Sequence, residues 1–281
     1  MKIGITGASG KLGNWAVNKL KNRVANEDIV ALVRTPEKVA SLGVEARVFN
    51  YDKTENLTAS LKGVEKLLLI SGNEIGKRFE QHSAVINAAK EAGVKHIVYT
   101  SLLKADNTSI ALAPEHLQTE EALKNSGLTY TILRNGWYNE NYTETAQNSL
   151  AQGALYGSSG EGKINSASRE DYAEAAAVVL SEEGHQNKVY ELSGDQAFTM
   201  KDYAQMMSEI SKKDISYVNL SEEEFSKALE QVGMPTEMAK FYAGTHTSTL
   251  NGDLSDNRNI LSALIGRPTT TITQSLEVAL Q

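Results

Sequence analysis

Six short runs of β-branched and aliphatic residues alternate with amphipathic stretches along the first half of the chain. The strand candidates are 2–6, 28–33, 45–49, 66–70, 96–101 and 128–133, with helical stretches at about 11–22, 36–42, 54–62, 77–92 and 115–126. Runs such as Leu67-Leu68-Leu69-Ile70 are apolar at every position, as strands covered on both faces must be. Gly63, Gly93 and Gly127 stand where helices end, and Asp52 and Glu55 have the spacing of a capping box. Repeated β-α units with short connections predict an α/β fold, a doubly wound Rossmann-type parallel sheet.

The rhythm breaks after about residue 135. Gly153, Gly157, Ser158, Ser159, Gly160 and Gly162 predict a flexible, turn-rich stretch. Beyond it come a helix over about 169–181, one more strand at Val189-Tyr190-Glu191-Leu192, and a mostly helical tail from 199 onward. Tyr203, Met206, Met207 and Ile210 fall at helical spacing, as do Phe225, Ala228, Leu229 and Val232, and both stripes read as core faces. Ser221 before Glu222-Glu223-Glu224 reads as the cap and acidic first turn of a helix. The expected organisation is a Rossmann domain of 1–135 and 164–195, with a smaller, mostly helical C-terminal substrate lobe of 136–163 and 196–281.

Composition narrows the chemistry. Against 35 Asp+Glu the chain has 28 Lys+Arg, a net charge of −7, and no basic stripe of the kind that neutralises nucleic-acid phosphates. No nucleic-acid partner is expected. A cysteine count of zero excludes disulfides, thiolate nucleophiles, Cys-ligated zinc and iron–sulfur clusters. Redox chemistry would then rest on a bound organic cofactor or on a metal held by His and carboxylates. His82, His96, His185 and His246 lack metal-ligand spacing, so no metal is expected. No apolar run reaches the roughly 18 residues of a membrane span, and the start of the chain does not read as a signal peptide. Together these predict a cytoplasmic protein that touches no membrane.

The sharpest motif is Thr6-Gly7-Ala8-Ser9-Gly10-Lys11-Leu12-Gly13, set between the first strand and the first helix. One glycine makes a tight turn, one lets backbone approach a pyrophosphate, and one allows close helix–strand packing. The phosphates then meet the bare N–H groups of the helix N-terminus. The glycine pattern alone is weak evidence; its place after an N-terminal strand makes it specific. An NAD site would put Asp or Glu at the end of the second strand, about 20 residues on. Here that strand ends in Arg34, whose guanidinium suits a 2′-phosphate, with Lys11 as a second cation. The expected cofactor is therefore NADP(H).

Short-chain dehydrogenases usually carry Tyr-x-x-x-Lys on the helix after the fifth strand, where the Tyr gives a proton to the forming alkoxide. None of the 11 tyrosines here is followed four residues later by Lys, and the corresponding place reads His116-Leu117-Gln118-Thr119-Glu120. That argues against ordinary alcohol/ketone chemistry. Gly7 to Gly13, Arg34, Gly63-Val64-Glu65-Lys66-Leu67-Leu68-Leu69-Ile70-Ser71, Tyr99-Thr100-Ser101 and Leu133-Arg134-Asn135-Gly136-Trp137-Tyr138 resemble the NmrA-like atypical short-chain dehydrogenases. Lys188-Val189-Tyr190-Glu191-Leu192 and Leu264-Ile265-Gly266-Arg267-Pro268-Thr269-Thr270 extend the resemblance nearly end to end. Within that family the chain is similar to bacterial NADPH:quinone-reducing members, with a triphenylmethane dye reductase in the same neighbourhood.

The resemblance implies hydride transfer from NADPH directly to a quinone, without flavin or metal. It implies that Gly7, Ala8, Ser9, Gly10, Lys11 and Leu12 cradle the pyrophosphate and Arg34 the 2′-phosphate. Ser71, Gly72 and Asn73 would border the adenosine and its ribose. Asn135, Gly136, Trp137, Tyr138, Asn139 and Glu140 would approach the nicotinamide, with Arg169 a further cofactor candidate. No residue is singled out as catalytic. Trp137, Tyr138 and Tyr142 could stack on a flat quinone ring, or merely pack the two lobes together. His116 could donate a hydrogen bond or proton to a quinone oxygen, or be a packing histidine. Ser101 stands near the place of the dehydrogenase serine, but lacks its tyrosine partner. Two other functions fit the same residues: a reductase of another planar electrophile such as a triphenylmethane or azo dye, and a non-catalytic NADP(H) sensor acting through a protein partner. A homo-oligomer is compatible with all three.

Overall fold

A computed structural model describes residues 1–281. In chain order its elements begin β1 (Lys2–Thr6), α1 (Lys11–Lys21), β2 (Ile29–Val33), β3 (Glu45–Val48), α2 (Leu57–Ser60), β4 (Val64–Leu69), α3 (Arg78–Ala92), β5 (His96–Leu102), α4 (Ala113–Asn125) and β6 (Thr129–Asn135). Then follow α5 (Glu140–Thr143), α6 (Ala146–Gln152), β7 (Ala154–Gly157), α7 (Arg169–Ser181) and β8 (Lys188–Leu192). The last are α8 (Met200–Ser211), β9 (Ser216–Asn219), α9 (Glu222–Gln231), α10 (Thr236–Leu250), α11 (Ile260–Ile265) and α12 (Ile272–Ala279). The chain forms two compact units. The first is Met1–Ala105, Pro114–Asn135 and Arg169–Leu192; the second is Asp106–Ala113, Gly136–Ser168 and Ser193–Gln281.

The first unit is a doubly wound parallel sheet of order β3-β2-β1-β4-β5-β6-β8. Every residue of β2 and of β5 is buried, which is why β2 reads as a continuous apolar run and β5 has one at its centre. On α1 the buried residues Leu12, Gly13, Ala16, Val17 and Leu20 recur at helical spacing. This helix packs on α7, whose Ala173, Ala175, Ala176 and Ala177 are small enough for close approach. Lys19 ties the two together, 2.7 Å from Glu170 and 3.2 Å from Glu174. A second core layer gathers Phe49, Leu57, Leu61, Val85, Ile86 and Leu123 against strand residues such as Leu67, Leu69, Ile97 and Tyr99.

Strand order reverses between β1 and β4, and there the ladder changes character. Backbone pairing ends at Ile5 and Leu68. The Thr6 hydroxyl takes over, donating to the Leu68 carbonyl (3.1 Å) and accepting from the Ile70 N–H (2.9 Å). The Tyr51 hydroxyl donates into the same knot, 2.6 Å from Thr6 Oγ1 and 2.8 Å from the Ile70 carbonyl. The strands can splay without orphaning a backbone group, and they open at the crevice where such sheets take ligands.

Four local expectations differ. Residues 36–42 form a 3-10 turn begun at Pro36, and 54–62 yields a 3-10 turn at Thr54–Asn56 before the four-residue α2. The Asp52/Glu55 capping box does not form; Lys53 stands at the N-cap, and Asp52 Oδ1 instead accepts from Gln81 Nε2 at 2.8 Å. A strand, β7, lies inside the glycine-rich stretch, pairing in parallel with β9 in the tail that read as helical.

The second unit is held by caps. The side chains of Thr199, Ser221 and Thr271 close capping boxes on α8, α9 and α12. In the glycine-rich stretch three successive N–H groups each meet a side chain: Ser158 N–H donates to His246 Nδ1 (3.1 Å), Ser159 N–H to the Tyr217 hydroxyl (3.1 Å), and Gly160 N–H to Asn219 Oδ1 (2.8 Å). A stretch that composition marks as flexible is thereby tied to β9 and α10. Tyr142 packs edge-on against Phe198 (ring centroids 5.7 Å apart) and beside Tyr203 (6.0 Å).

The buried charges at the carboxyl ends of β5, β6 and β8 are paired. Arg134 makes a bidentate contact with Glu120, both bonds 2.8 Å, and a third bond of 2.8 Å to Glu191. Ser101 Oγ donates to the same Glu120 at 2.6 Å, and the Lys104 N–H donates to Glu191 at 2.7 Å. The network stitches the carboxyl ends of β5, β6 and β8 to α4. Removing its one guanidinium with Arg134→Met strips buried Glu120 of its two-bonded partner and leaves only the Lys124 ammonium 3.6 Å away, and stability should fall by about 3–5 kcal/mol. Urea denaturation checks this; adding Glu120→Leu should restore part of the loss, and simple additivity of the two losses would refute the coupling.

Buried histidines are held neutral. His82 meets the Gly72 N–H and Thr119, and His116 meets the Tyr99 hydroxyl. Burial, with a smaller push from Arg78, brings both imidazolium pKa values down to about 3. Burial also lowers His96 and His246 to about 4. The unfolded chain takes up these protons near pH 6.5 and the folded chain does not, so stability falls as pH drops below that value. Between pH 7 and pH 5, His82 and His116 should each cost about 2 kcal/mol, with His96 and His246 acting in the same direction. A urea midpoint unchanged across that interval would contradict the neutral assignments.

Candidate active site

The Gly7–Gly13 segment makes the turn its glycines predict. Gly7 has φ +60°, and the Gly10 N–H donates to the Gly7 carbonyl at 2.8 Å. A Cβ at Gly13 would lie 2.3 Å from that same carbonyl oxygen, so only glycine lets α1 approach β1 this closely. Ala8 and Leu12 face the core, while Ser9 and Lys11 are exposed. The N-terminus of α1 has no side-chain cap and no acidic residue in its first turn, and Lys11 is its first residue. Arg34 is exposed at the carboxyl end of β2.

The segment after β4 is pinned from beneath. Gly72 N–H donates to His82 Nε2 (2.9 Å), and Arg78 Nε donates to the Gly72 carbonyl (2.7 Å). The Ser71 N–H donates to Thr100 Oγ1 at 2.9 Å, and Asn73 is exposed. Both faces of the Gly72 peptide are thus fixed by α3, which presents Ser71 to Asn73 at the carboxyl edge of the sheet. His116 sits on the first turns of α4, buried, its Nδ1 2.7 Å from the Tyr99 hydroxyl. It is a neutral imidazole, able to donate or accept a hydrogen bond but not to act as a cationic acid at ordinary pH.

At the end of β6, Asn135 is buried and its Oδ1 has no hydrogen-bond partner. In the second unit Trp137 and Tyr138 are half-buried, and residues 137–139 pair with Ala167. Asn139 gives its amide hydrogens to the Thr270 carbonyl and Ser275 Oγ, each at 2.9 Å, and accepts from Ser166 Oγ at 2.6 Å. Its side chain anchors the unit. Glu140 opens α5, and Tyr142 stacks with Phe198 and Tyr203. Arg169 opens α7 in the first unit. Ser101 is spent on Glu120. Sequence reasoning passed over Tyr51 and His82 as parts of this edge; they carry no motif, because their partners lie on other strands and helices.

Two features test the fit of a dinucleotide. The caps that close α8, α9 and α12 are lacking at α1, where bare N–H groups and Lys11 face the end of a tight glycine turn, a match for phosphate. The unspent Asn135 Oδ1 offers a buried acceptor to an amide N–H, the donor a nicotinamide carboxamide carries. The residues present fit the cofactor.

Comparison with known proteins agrees. Residues 7–183 match a family model described as NAD(P)H-binding. Quinone oxidoreductase 2 of Escherichia coli is 49% identical over 98% of this chain and 97% of its own. The crystal structure of the NADPH-dependent quinone oxidoreductase of E. coli complexed with NADPH superposes with a TM-score of 0.97 over 99% of this chain and all of that one (100%), at 48% identity. The Citrobacter triphenylmethane reductase complexed with NADP(H) gives a TM-score of 0.95 at 37% identity, covering 99% of this chain and 100% of its own. With a glycine turn, an uncapped helix and matches of this extent, the chain belongs to the NAD(P)H-binding, NmrA-like family of atypical short-chain dehydrogenases.

Proposed function

We propose that this chain is an NADPH-dependent quinone oxidoreductase. The observation that carries the reading is at positions 116 and 120, where alcohol-oxidising relatives of the fold need Tyr and Lys. Here His116 is neutral, and Glu120 is clamped by Arg134. Neither can protonate an alkoxide as a Tyr-Lys pair does. A quinone does not need that help, since it is already a strong electrophile and its reduced oxygens take protons from water. The identity to the E. coli quinone oxidoreductase supports the same reading.

NADPH, when bound, supplies the hydride. Gly7, Ala8, Ser9, Gly10, Lys11 and Leu12 hold its pyrophosphate through backbone N–H groups at the start of α1. Arg34 pairs with the 2′-phosphate, and Ser71, Gly72 and Asn73 border the adenosine. Asn135 accepts from the carboxamide, while Gly136, Trp137, Tyr138 and Glu140 lie toward the ring, and Arg169 is a further cofactor contact. His116, Trp137, Tyr138 and Tyr142 are the acceptor contacts: three flat apolar rings and one neutral hydrogen-bonding group, suited to a planar acceptor with carbonyl oxygens. The first unit is then the cofactor domain and the second the substrate lobe. No helix is long and apolar enough to cross a membrane; a cytoplasmic setting, where NADPH is renewed, is part of this proposal.

The likeness to the triphenylmethane reductase favours a second reading, in which the acceptor is a cationic dye. Oxidation of NADPH and NADH, followed by nicotinamide absorbance with a panel of small quinones and a triphenylmethane dye, separates the two. Quinone turnover that prefers NADPH is expected. Arg34→Ala should lower kcat/KM for NADPH roughly 10- to 100-fold and leave NADH nearly unchanged, the size of a lost charge-assisted contact. Tight NADP binding with no turnover of any acceptor would refute the enzyme and favour a sensor.

A further inference from the structure

Tyr99 lies in the middle of β5, fully buried, with its ring edge-on to His82 (centroids 5.3 Å apart) and tilted against His116 (5.9 Å). Nothing in the proposed chemistry uses it. Its hydroxyl is 2.7 Å from His116 Nδ1, and that bond has a direction that the surrounding groups determine.

The Gly72 N–H donates to His82 Nε2, so the His82 proton is on Nδ1, where it faces Thr119 Oγ1 at 3.0 Å. Thr119 gives its own hydrogen to the Glu115 carbonyl at 2.8 Å. A buried Tyr99 O–H must find an acceptor; Thr119 Oγ1, the other polar neighbour, already accepts from His82 and gives its hydrogen to Glu115, so the Tyr99 hydrogen goes to His116 Nδ1 at 2.7 Å. Nδ1 therefore accepts, and the His116 proton is on Nε2. Three buried polar side-chain atoms are without partners, Asn135 Oδ1, Ser158 Oγ and Tyr203 OH; Nε2 is not among them. It has no bond within the chain and is not sealed in. Because β5 and β6 are parallel, α4 must run back between them, which puts His116 on its first turns toward the carboxyl edge of the sheet.

We propose that Tyr99 is a positioning residue: by donating to His116 Nδ1 it fixes the Nε2–H tautomer and aims that N–H at the oxygen of the quinone. This deepens, and rests on, the quinone-reductase reading. When the quinone gains a hydride, negative charge grows on its oxygen, and an N–H held in place beforehand stabilises it at no cost in reorganisation. Two electrons and one hydrogen come from NADPH, the second hydrogen comes from water, and the products are hydroquinone and NADP+. His116 donates a hydrogen bond without losing its proton. Burial holds the Tyr99 phenol far above its ordinary range, so it does not resupply one.

The test uses the whole protein with 15N-labelled histidine. NMR should show His116 protonated at Nε2 and accepting at Nδ1, and its Nε2 signal should move when a small quinone is added to the NADP+-bound enzyme. Tyr99→Phe keeps the ring and removes the hydroxyl. It should mix the two tautomers and lower kcat with the quinone roughly tenfold, the scale of a weakened donor, while KM for NADPH stays unchanged. His116→Gln, which keeps an N–H near Nε2, should retain more activity than His116→Phe. A native His116 protonated on Nδ1, or a Tyr99→Phe enzyme with native kcat, overturns the proposal. If the native protein reduces no quinone, the acceptor reading falls and takes the aim of the N–H with it; the tautomer spectrum still decides whether Tyr99 sets His116.

Discussion

The Thr6 hydroxyl is the point on which the first unit turns. Where β1 and β4 part, one side chain replaces two backbone partners, donating to Leu68 and accepting from Ile70, with Tyr51 closing the knot. Without it, splaying the strands would strand buried peptide groups, each worth a few kcal/mol if unsatisfied. Once the strands are apart, the glycine turn fits above them, and the steric limit at Gly13 sets how near α1 can come.

Much of this was legible in the residues. The apolar strands, the turn at Gly7 to Gly13, the helix over 169–181, the strand near 189–192 and the cap at Ser221 all depend on near neighbours in sequence, where periodicity and spacing carry the information. What escaped depends on distant partners. β7 is four residues between glycines and becomes a strand only because Ser216–Asn219 lies beside it. Asp52 has the spacing of a cap, yet Gln81 of α3 claims it. Glu120 read as a lost catalytic lysine, and its meaning appears only when Arg134 is seen to grip it. The Asn139 side chain is bonded to residues more than a hundred positions on, a placement that local spacing does not reveal.

Histidine serves both units in one physical role. His82 and His246 each use a ring nitrogen to accept from a backbone N–H in a turn that has no regular partner, at Gly72 and at Ser158. A neutral imidazole does this well in a buried place, because it accepts without bringing a charge that burial would penalise. The same economy applies to His116, buried against the Tyr99 hydroxyl and uncharged.

The pairing of β7 with β9 has a consequence for how the chain is made. Between the two strands the polypeptide leaves the second unit, contributes α7 and β8 to the first, and returns. Each unit is assembled from three separate lengths of chain, so neither can be excised as one piece. During synthesis the large sheet lacks its edge strand until Leu192 has emerged, and the small sheet cannot close until Asn219 follows. Contacts so remote in sequence are slow to form. The order of emergence therefore favours a finished first unit while the second is still incomplete.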